Sequence, residues 1–206
     1  KADLLTKNLA FVFLNGETYI IAKNEVLPLG FSISSSSDGR RAPSGFVSGG
    51  QTGADRAGLD VAIRYDFPHE GWCPKGRKAE DGRIGGQYRL KETPSAGYLQ
   101  RTEWNARDSD GTVVFTLART ISGGSRRTIQ FVEKHRKPWI HIFSGTYQPA
   151  EDLQKFVQLH GIRRLNIAGS RESKEPGIYR WATNILESAF FWSEHHPTSF
   201  GGPGEG

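Results

Sequence analysis

Three glycine-bearing segments of the sequence have the composition of loops that receive an anion. The first, Ser48-Gly49-Gly50-Gln51-Thr52-Gly53, lies between the short apolar run 46–47 and a helix that begins at about Ala54. Glycines let a ligand approach the backbone, and the free amides at a helix N-terminus attract negative charge. No Gly-Lys-Ser/Thr follows, so this is not a Walker loop, and its spacing differs from the dinucleotide fingerprint. The segment therefore predicts an oxyanion site, with a plain tight turn as the alternative.

The other two segments follow predicted strands in the same way. Ser122-Gly123-Gly124-Ser125-Arg126-Arg127-Thr128 comes after the apolar run 112–116, and Gly169-Ser170-Arg171-Glu172-Ser173 comes after the run 165–168. Each of the three segments carries hydroxyl groups, and two carry arginine. Because ligands of an open parallel sheet bind beyond the carboxyl ends of its strands, we expect the three loops to meet around one oxyanion pocket.

Further cations lie between the first helix and the next core strand, in segments that can fold over the carboxyl edge of the sheet. Lys75 and Arg77 occupy one such segment, and Arg101 occupies another. Asp55 and Arg56, in the first turn of the first helix, are expected to orient the loop or to touch the ligand. The predicted binding residues are Ser48, Gly49, Gly50, Gln51, Thr52, Gly53, Asp55, Arg56, Lys75, Arg77, Arg101, Gly123, Gly124, Ser125, Thr128, Ser170 and Arg171.

Other residues could carry out catalysis, but each has a simpler interpretation. Cys73 follows His69 by four positions, yet Pro74 would interrupt a helix there, so a structural cysteine is favoured. Trp72 and Trp104 could stack on a flat heterocycle, although packing is the commoner use of tryptophan. The carboxylates that could act as acid and base are Glu80, Asp81, Glu103, Asp108 and Asp110, of which the last two also fit an ordinary turn before a strand. We assign no catalytic residue and no metal ligand.

The elements that would position these loops alternate along the chain from residue 45. Apolar runs at 46–47, 112–116, 139–143 and 165–168 are each followed, directly or after a loop, by a helical pattern. One helix is marked at both ends, by Pro149 with two acidic residues after it and by Gly161. Others are predicted over Ser125–His135 and from Pro176 onward. This alternation predicts an α/β fold with an open, mainly parallel sheet covered by helices on both faces.

The two ends of the chain have a different composition. Leu9–Leu14 and Thr18–Ala22 predict a β-hairpin with its turn at Asn15-Gly16, followed by a Ser/Gly-rich linker. We therefore divide the chain into an extension at residues 1–44, a main domain at 45–192 and a flexible tail at 193–206. The net charge of +5 favours anionic partners. The single cysteine and the lack of a long apolar run predict a cytoplasmic protein away from membranes.

Six ordered motifs between residues 45 and 192 resemble the molybdenum carrier family. They include "SGGQTGADRAGLD", "GWCPKGRKAEDG", "RTEWNARDSDGT" and "LNIAGSRES"; residues 1–44 lie outside the resemblance. The resemblance implies a Rossmann-like fold, in a superfamily that includes phosphoribohydrolases and DNA-processing protein A. It also implies a homo-oligomer that binds molybdenum cofactor (molybdopterin with its metal) without a covalent link and passes it to a recipient molybdoenzyme. This ligand combines anionic groups with a planar pterin.

Two other functions of the superfamily remain as alternatives. Phosphoribohydrolases carry P-G-G-x-G-T-x-x-E, but here the corresponding region runs from Ser122 to Phe131 without the glutamate, and Gly-Gly to Thr is longer by one residue. Hydrolysis would need a carboxylate from elsewhere, such as Glu103. Nucleic acid is not expected, because the cations cluster at predicted loops rather than along a broad surface. The sequence thus favours a carrier of molybdenum cofactor or a molybdate-type oxyanion, with a nucleotide-binding or nucleotide-processing enzyme as the alternative.

Overall fold

The computed structural model describes residues 9–14, 17–22, 25–28 and 42–191, which fall into two units, 1–39 and 40–206. In the first unit β1 (Leu9–Leu14) pairs antiparallel with β2 (Glu17–Ala22), the strands predicted for the hairpin. A third strand that was not predicted, β3 (Glu25–Pro28), pairs antiparallel with β2. The predicted turn, the Ser/Gly-rich linker up to residue 41 and the tail after residue 192 lie outside the described residues.

The second unit contains a six-stranded parallel sheet in the order β10-β9-β11-β4-β5-β8, so the predicted α/β fold class is confirmed. Its elements are β4 (Gly45–Val47), α1 (Ala54–Arg64), β5 (His69–Cys73), a two-stranded ribbon of β6 (Lys78–Ala79) and β7 (Gly82–Arg83), β8 (Leu90–Glu92), α2 (Tyr98–Asp108), β9 (Gly111–Thr116), α3 (Gly123–Lys134), β10 (Trp139–Phe143), α4 (Pro149–Leu159), β11 (Arg164–Gly169) and α5 (Ile178–Phe190). No helix in these described stretches is long and apolar enough to cross a bilayer.

Right-handed crossovers determine the face on which each helix lies. The connections through α1 and α4 run in one direction across the sheet, and those through α2 and α3 run in the other. Therefore α1 and α4, together with α5, cover one face, while α2 and α3 cover the opposite face. This arrangement confirms the prediction of helices on both faces.

The two faces of the sheet bury different residues. The main core lies under α1, α4 and α5 and includes Phe46, Phe115, Ile142, Leu153 and Ile167. On the other face, alternate positions of the central strands bury polar side chains: Asn166 in β11 donates from Nδ2 to Thr112 Oγ1 in β9 at 3.1 Å. The face beneath α2 and α3 is therefore the one that can offer hydrogen bonds to a ligand.

The strand order reverses at the centre of the sheet, beside β11. From β4 the chain proceeds toward β5 and β8, and from β9 it proceeds the opposite way to β10. The loops that leave the carboxyl ends of β4 and β9 consequently move apart and open a crevice, which is where open α/β sheets bind ligands.

Helix α1 packs closely on β11 at Gly58, which gives a test of the core. A Cβ at Gly58 would lie 2.8 Å from Ile167 Cβ, in a buried strand that cannot yield easily. The helix propensity of alanine favours Gly58→Ala by about 1 kcal/mol, but overpacking of this kind costs about 1 to 3 kcal/mol. We expect the overpacking to outweigh the propensity, with a net loss of about 1 kcal/mol in the free energy of unfolding, measured in urea. Gly86→Ala, where an added Cβ meets no atom within 4 Å, is the control; equal stability of the two variants would contradict this packing.

Candidate functional site

A cleft of about 410 Å³ lies beyond the carboxyl ends of β4 and β11, between α2 and the N-terminus of α3. Its volume falls within the range of small-molecule sites, roughly 300 to 1,000 Å³. Residues from all three predicted loops line it, together with α2. The lining residues are Gly49, Gln51, Asp55, Tyr98, Leu99, Arg101, Thr102, Asn105, Ser122, Gly124, Ser125, Arg127, Thr128, Asn166, Ile167, Ala168, Gly169, Ser170, Arg171, Lys174 and Glu175.

The N-terminus of α3 forms one wall of this cleft. Its N-cap, Ser122, makes no side-chain hydrogen bond to the helix, so the amides of the first turn have no side-chain acceptor. Thr128 is buried below them and donates from Oγ1 to the Gly124 carbonyl at 3.2 Å. Open amides at a helix start favour a negative group through hydrogen bonds and through the helix dipole.

Gln51 lines the cleft and carries a buried donor that has no acceptor in the protein. The residue is only 3% exposed, and its Oε1 accepts from the backbone N–H groups of Thr52 at 3.0 Å and Glu80 at 2.9 Å. Because both N–H groups donate to the same side-chain atom, that atom must be the amide oxygen and the other must be the nitrogen. The Nε2 group is buried without a hydrogen-bond partner. A buried unpaired donor costs about 1 to 3 kcal/mol, so this group favours a ligand with an acceptor.

Arg101 of α2 lies against the first loop and pairs with a buried carboxylate. Its Nη1 lies 2.6 Å from Asp55 Oδ2, and its Nε is buried without a partner. A Cβ at Gly49 would overlap this guanidinium, so Gly49 provides the space that Arg101 needs. Asp55 thus orients Arg101, whereas the sequence analysis expected it to orient the loop or to touch the ligand.

Cationic and aromatic side chains also line the cleft. The Arg171 guanidinium lies 4.8 Å from the centroid of the Tyr98 ring, and Arg101 lies 5.9 Å from the same centroid on α2. Neither Arg171 nor Lys174 has an ion pair within residues 42–191. The lining acid Glu175 is already engaged, since its carboxylate accepts from the amides of Leu117 at 2.7 Å and Ala118 at 3.0 Å. The cleft therefore presents an excess of positive charge.

Several predicted residues support the loop from behind rather than line the cleft. A Cβ at Gly50 would lie 2.8 Å from Leu90 Cδ1, so this glycine faces an apolar cluster. Arg56 donates to the Gly50 carbonyl at 3.1 Å and pairs with Asp81. Thr52 Oγ1 donates to Glu80. The other predicted residues behind the lining are Ser48, which is buried and donates to the Asp55 carbonyl at 2.9 Å, Gly53, which packs against Ser170, and Gly123, which begins α3.

The structure gives Arg77 a different task from the one predicted, and it places Lys75 away from the cleft. Arg77 donates to four backbone carbonyls: Ile84 at 2.9 Å, Gly85 at 2.7 Å, Tyr88 at 3.0 Å and Leu90 at 3.0 Å. Its guanidinium thereby organises the segment between β5 and β8 instead of facing a ligand. Lys75 is exposed and lies outside the cleft lining. Neither residue lines the cleft, although their segment follows a strand of the sheet directly.

The alternative catalytic residues lie outside the cleft. Burial raises the pKa of the Cys73 thiol, the opposite of what a nucleophile requires. A hydrogen bond from Lys134 at 2.6 Å holds the pKa of Glu103 below its ordinary value, so this carboxylate is committed to an ion pair. Trp72 and Trp104 pack edge to face with ring centroids 4.7 Å apart. No cluster of metal-ligating residues occurs in the part of the chain that the structure describes.

Sequence reasoning missed several lining residues, chiefly because it missed α2. Tyr98, Thr102 and Asn105 come from this helix, and Asn105 joins it to β5 by accepting from Trp72 N at 2.7 Å and donating to Trp72 O at 3.0 Å. Asn166 gave a usable signal, since a polar residue within a buried strand must find a partner. Lys174 follows the third glycine-bearing segment directly and could have been included with it.

Comparisons with known proteins agree with this architecture. The family model described as the circularly permutated YpsA SLOG family matches residues 46–190. The crystal structure of the "Putative molybdenum carrier protein" from Syntrophus aciditrophicus SB, at 1.45 Å resolution, is similar, with 43% sequence identity and a TM-score of 0.70. The match covers 72% of this chain and 95% of that one. A search of the curated proteins found no match.

The role of Arg77 can be tested against its neighbour. Arg77→Ala leaves four carbonyls without their donor, and charged hydrogen bonds contribute about 1.5 to 3 kcal/mol each without strict additivity. We expect the free energy of unfolding in urea to fall by about 2 to 4 kcal/mol. Lys75→Ala removes a cation from the same segment and should leave stability unchanged within about 0.5 kcal/mol. Full stability of the Arg77 variant would contradict the structural role.

Proposed function

The chain belongs to the circularly permutated YpsA SLOG family, and from that premise we propose that it carries a molybdenum-containing anion, held non-covalently in the cleft between α2 and α3. The cargo in this proposal is molybdenum cofactor or a molybdate-type oxyanion. The solved relative with 43% identity bears the name of a molybdenum carrier. Transfer to a recipient molybdoenzyme, assembly into a homo-oligomer and a cytoplasmic location are predictions that accompany the proposal.

The observation that carries the proposal is the set of donors without acceptors around one cleft. Gln51 Nε2 is buried and unpaired, and the first turn of α3 has no side-chain cap. Arg171 and Lys174 add positive charge at the same cleft. Buried donors in fixed positions, surrounded by cations, favour an anion that accepts several hydrogen bonds at once.

The size and shape of the cleft favour a cargo larger than a bare oxyanion. A volume of about 410 Å³ leaves space beyond a single tetrahedral anion. The Tyr98 ring also lines the cleft, with the guanidinium groups of Arg171 and Arg101 at 4.8 Å and 5.9 Å from its centroid. A ligand with a terminal anionic group and a planar ring system, such as the cofactor, would suit the donors of α3 and the Tyr98 ring together. Molybdate alone would use the α3 donors.

The enzyme alternative lacks a suitably placed carboxylate. Of the two acids that line the cleft, Asp55 is bound to Arg101, and Glu175 accepts from two backbone amides. A general acid or base must reach the reacting atom and exchange a proton with it. Both carboxylates are instead committed to holding the loops. A nucleotide has the same kinds of group as the cofactor and is therefore the ligand to compare with it.

Anaerobic equilibrium dialysis, with molybdenum measured by elemental analysis, tests the proposal directly. We expect stoichiometric binding of molybdenum cofactor or of molybdate. Sulfate, a tetrahedral dianion without molybdenum, is the matched competitor and should displace the cargo poorly. Displacement by sulfate at equal concentration, or tight binding of AMP in preference to both molybdenum ligands, would contradict a molybdenum carrier. Steeply salt-dependent binding of duplex DNA would contradict a small-ligand site.

Arg171 gives a prediction for the charge of the cleft. Arg171→Ala should weaken binding of the molybdenum ligand by about 1.5 to 3 kcal/mol, the contribution of one charge-assisted hydrogen bond. Arg163→Ala removes an equal charge from an exposed residue just before β11, at the opposite edge of the sheet, and should leave the affinity unchanged. The same dialysis measures both variants. If the two variants lose equal affinity, general charge and not the cleft governs binding.

A second prediction concerns hydrolysis. Because the hydrolase glutamate is missing after Ser122 and Glu103 is held by Lys134, incubation with AMP should release no adenine. Chromatography of the reaction mixture measures the free base. Release that disappears in Glu103→Gln would overturn the carrier assignment and place the chain with the phosphoribohydrolases.

A further inference from the structure

The tip of the β6–β7 ribbon contacts two of the three loops around the cleft. Glu80 accepts from Thr52 Oγ1 in the first loop. It also accepts from Ser173 in the third loop, at 3.2 Å from the backbone N–H and at 2.6 Å from the hydroxyl. One carboxylate thus receives three donors from segments that are far apart in sequence.

The same residue determines the orientation of the buried amide in the cleft. The backbone N–H of Glu80 donates to Gln51 Oε1 at 2.9 Å, beside the N–H of Thr52. With both donors on the oxygen, the Nε2 group must point the other way, where it is buried without a partner. A shift of the ribbon would release the acceptor end of Gln51 and allow the amide to rotate.

We propose that Glu80 is a positioning residue for the cargo site: its carboxylate joins the first and third loops, its backbone fixes the orientation of the Gln51 amide, and these contacts together set the affinity for the anion. This inference rests on the proposed function, because it concerns the same cleft. Glu80 itself lies outside the cleft lining and acts through its neighbours.

Arg77 holds the base of the ribbon, because it binds the carbonyls of Ile84 and Gly85 just after β7. Asp81, next to Glu80 at the tip, forms only a half-exposed pair with Arg56 of α1 at 3.1 Å, and the side-chain oxygen of an asparagine could still accept from that arginine. Burial alone would raise the pKa of Glu80, but the hydrogen bonds from Ser173 and Thr52 outweigh it and hold that pKa below the ordinary value. The carboxylate is therefore ionised at neutral pH and can accept all three donors.

The direction in which anion affinity changes when Glu80 is neutralised distinguishes a positioning role from charge repulsion. Glu80 is an anion near a site for an anion, so through-space repulsion alone predicts that its neutralisation tightens binding. Loss of the positioning contacts predicts the reverse, because a side-chain amide has only one acceptor oxygen and cannot receive all three donors. Asp81→Asn removes the same charge from the neighbouring residue and leaves the contacts to Thr52 and Ser173 intact.

The experiment uses the full chain and two measurements on Glu80→Gln, with Asp81→Asn as the matched control. In anaerobic equilibrium dialysis with molybdenum cofactor as the probe, we expect Glu80→Gln to lower the affinity roughly tenfold, as for the loss of one or two hydrogen bonds. Asp81→Asn should bind within about twofold of the wild type or slightly tighter. In a Gln51→Ala background Glu80→Gln should lower the affinity by a smaller factor. The contact between Glu80 and the Gln51 side chain is already absent there, so the second substitution cannot disturb it.

The second measurement needs no ligand. Hydrogen exchange of the free protein should show faster exchange at the Ser173 amide in Glu80→Gln and unchanged exchange in Asp81→Asn. Unchanged or tighter cofactor binding by Glu80→Gln overturns the proposal, as does an equal loss in both variants or unchanged exchange at Ser173. If the wild type binds no molybdenum ligand, the proposed function fails, while the exchange measurement still decides whether Glu80 positions the third loop.

Discussion

Three parallel strands end side by side at the centre of the sheet, and the rest of the site depends on how the polar groups there are satisfied. β4, β9 and β11 are neighbours, and the loops that follow β4 and β9 leave in opposite directions because the strand order reverses. Backbone and side-chain groups in the resulting crevice must find partners within the protein or in a ligand. Most find a partner in the protein. Among the residues that the structure describes, the exceptions at this cleft are Gln51 Nε2 and Arg101 Nε, which are buried without a partner, and the first-turn amides of α3, which have no side-chain cap.

The cleft is positive although acidic residues lie near it, because those acids are already paired within the protein. Asp55 binds Arg101, Glu80 binds Thr52 and Ser173, and Glu175 binds the amides after β9. Each carboxylate accepts hydrogen bonds from the protein and thereby joins two segments of the site. Arg171 and Lys174 have no such ion pairs within residues 42–191. Structural use of the acids therefore leaves the cations to determine the field that an approaching ligand meets.

Sequence patterns predicted the parts of the fold that bury apolar residues on a clear period. The runs at 112–116 and 139–143 and the helix from Pro149 were found where expected, because burial on a sheet or helix face imposes that period. β5 reads "HEGWC" and β8 is three residues long, so neither shows a period, although parallel pairing makes both part of the sheet. Only Asn105 and Ala106 of α2 are buried, so the sequence of this helix shows no apolar face at helical spacing. The lining residues on α2 were missed for that reason.

The first glycine-bearing loop lies at the predicted place, and its glycines have a packing role that the sequence analysis did not predict. A side chain at Gly49 would displace Arg101 from Asp55, and one at Gly50 would meet Ile84 and Leu90. Both positions thus allow the protein to pack closely against itself. The groups that remain for an anion are the side chains of Gln51 and Arg171 and the amides of α3. Specificity in this cleft must therefore depend on side chains that other residues hold in place, which is why the contacts behind the lining matter as much as the lining itself.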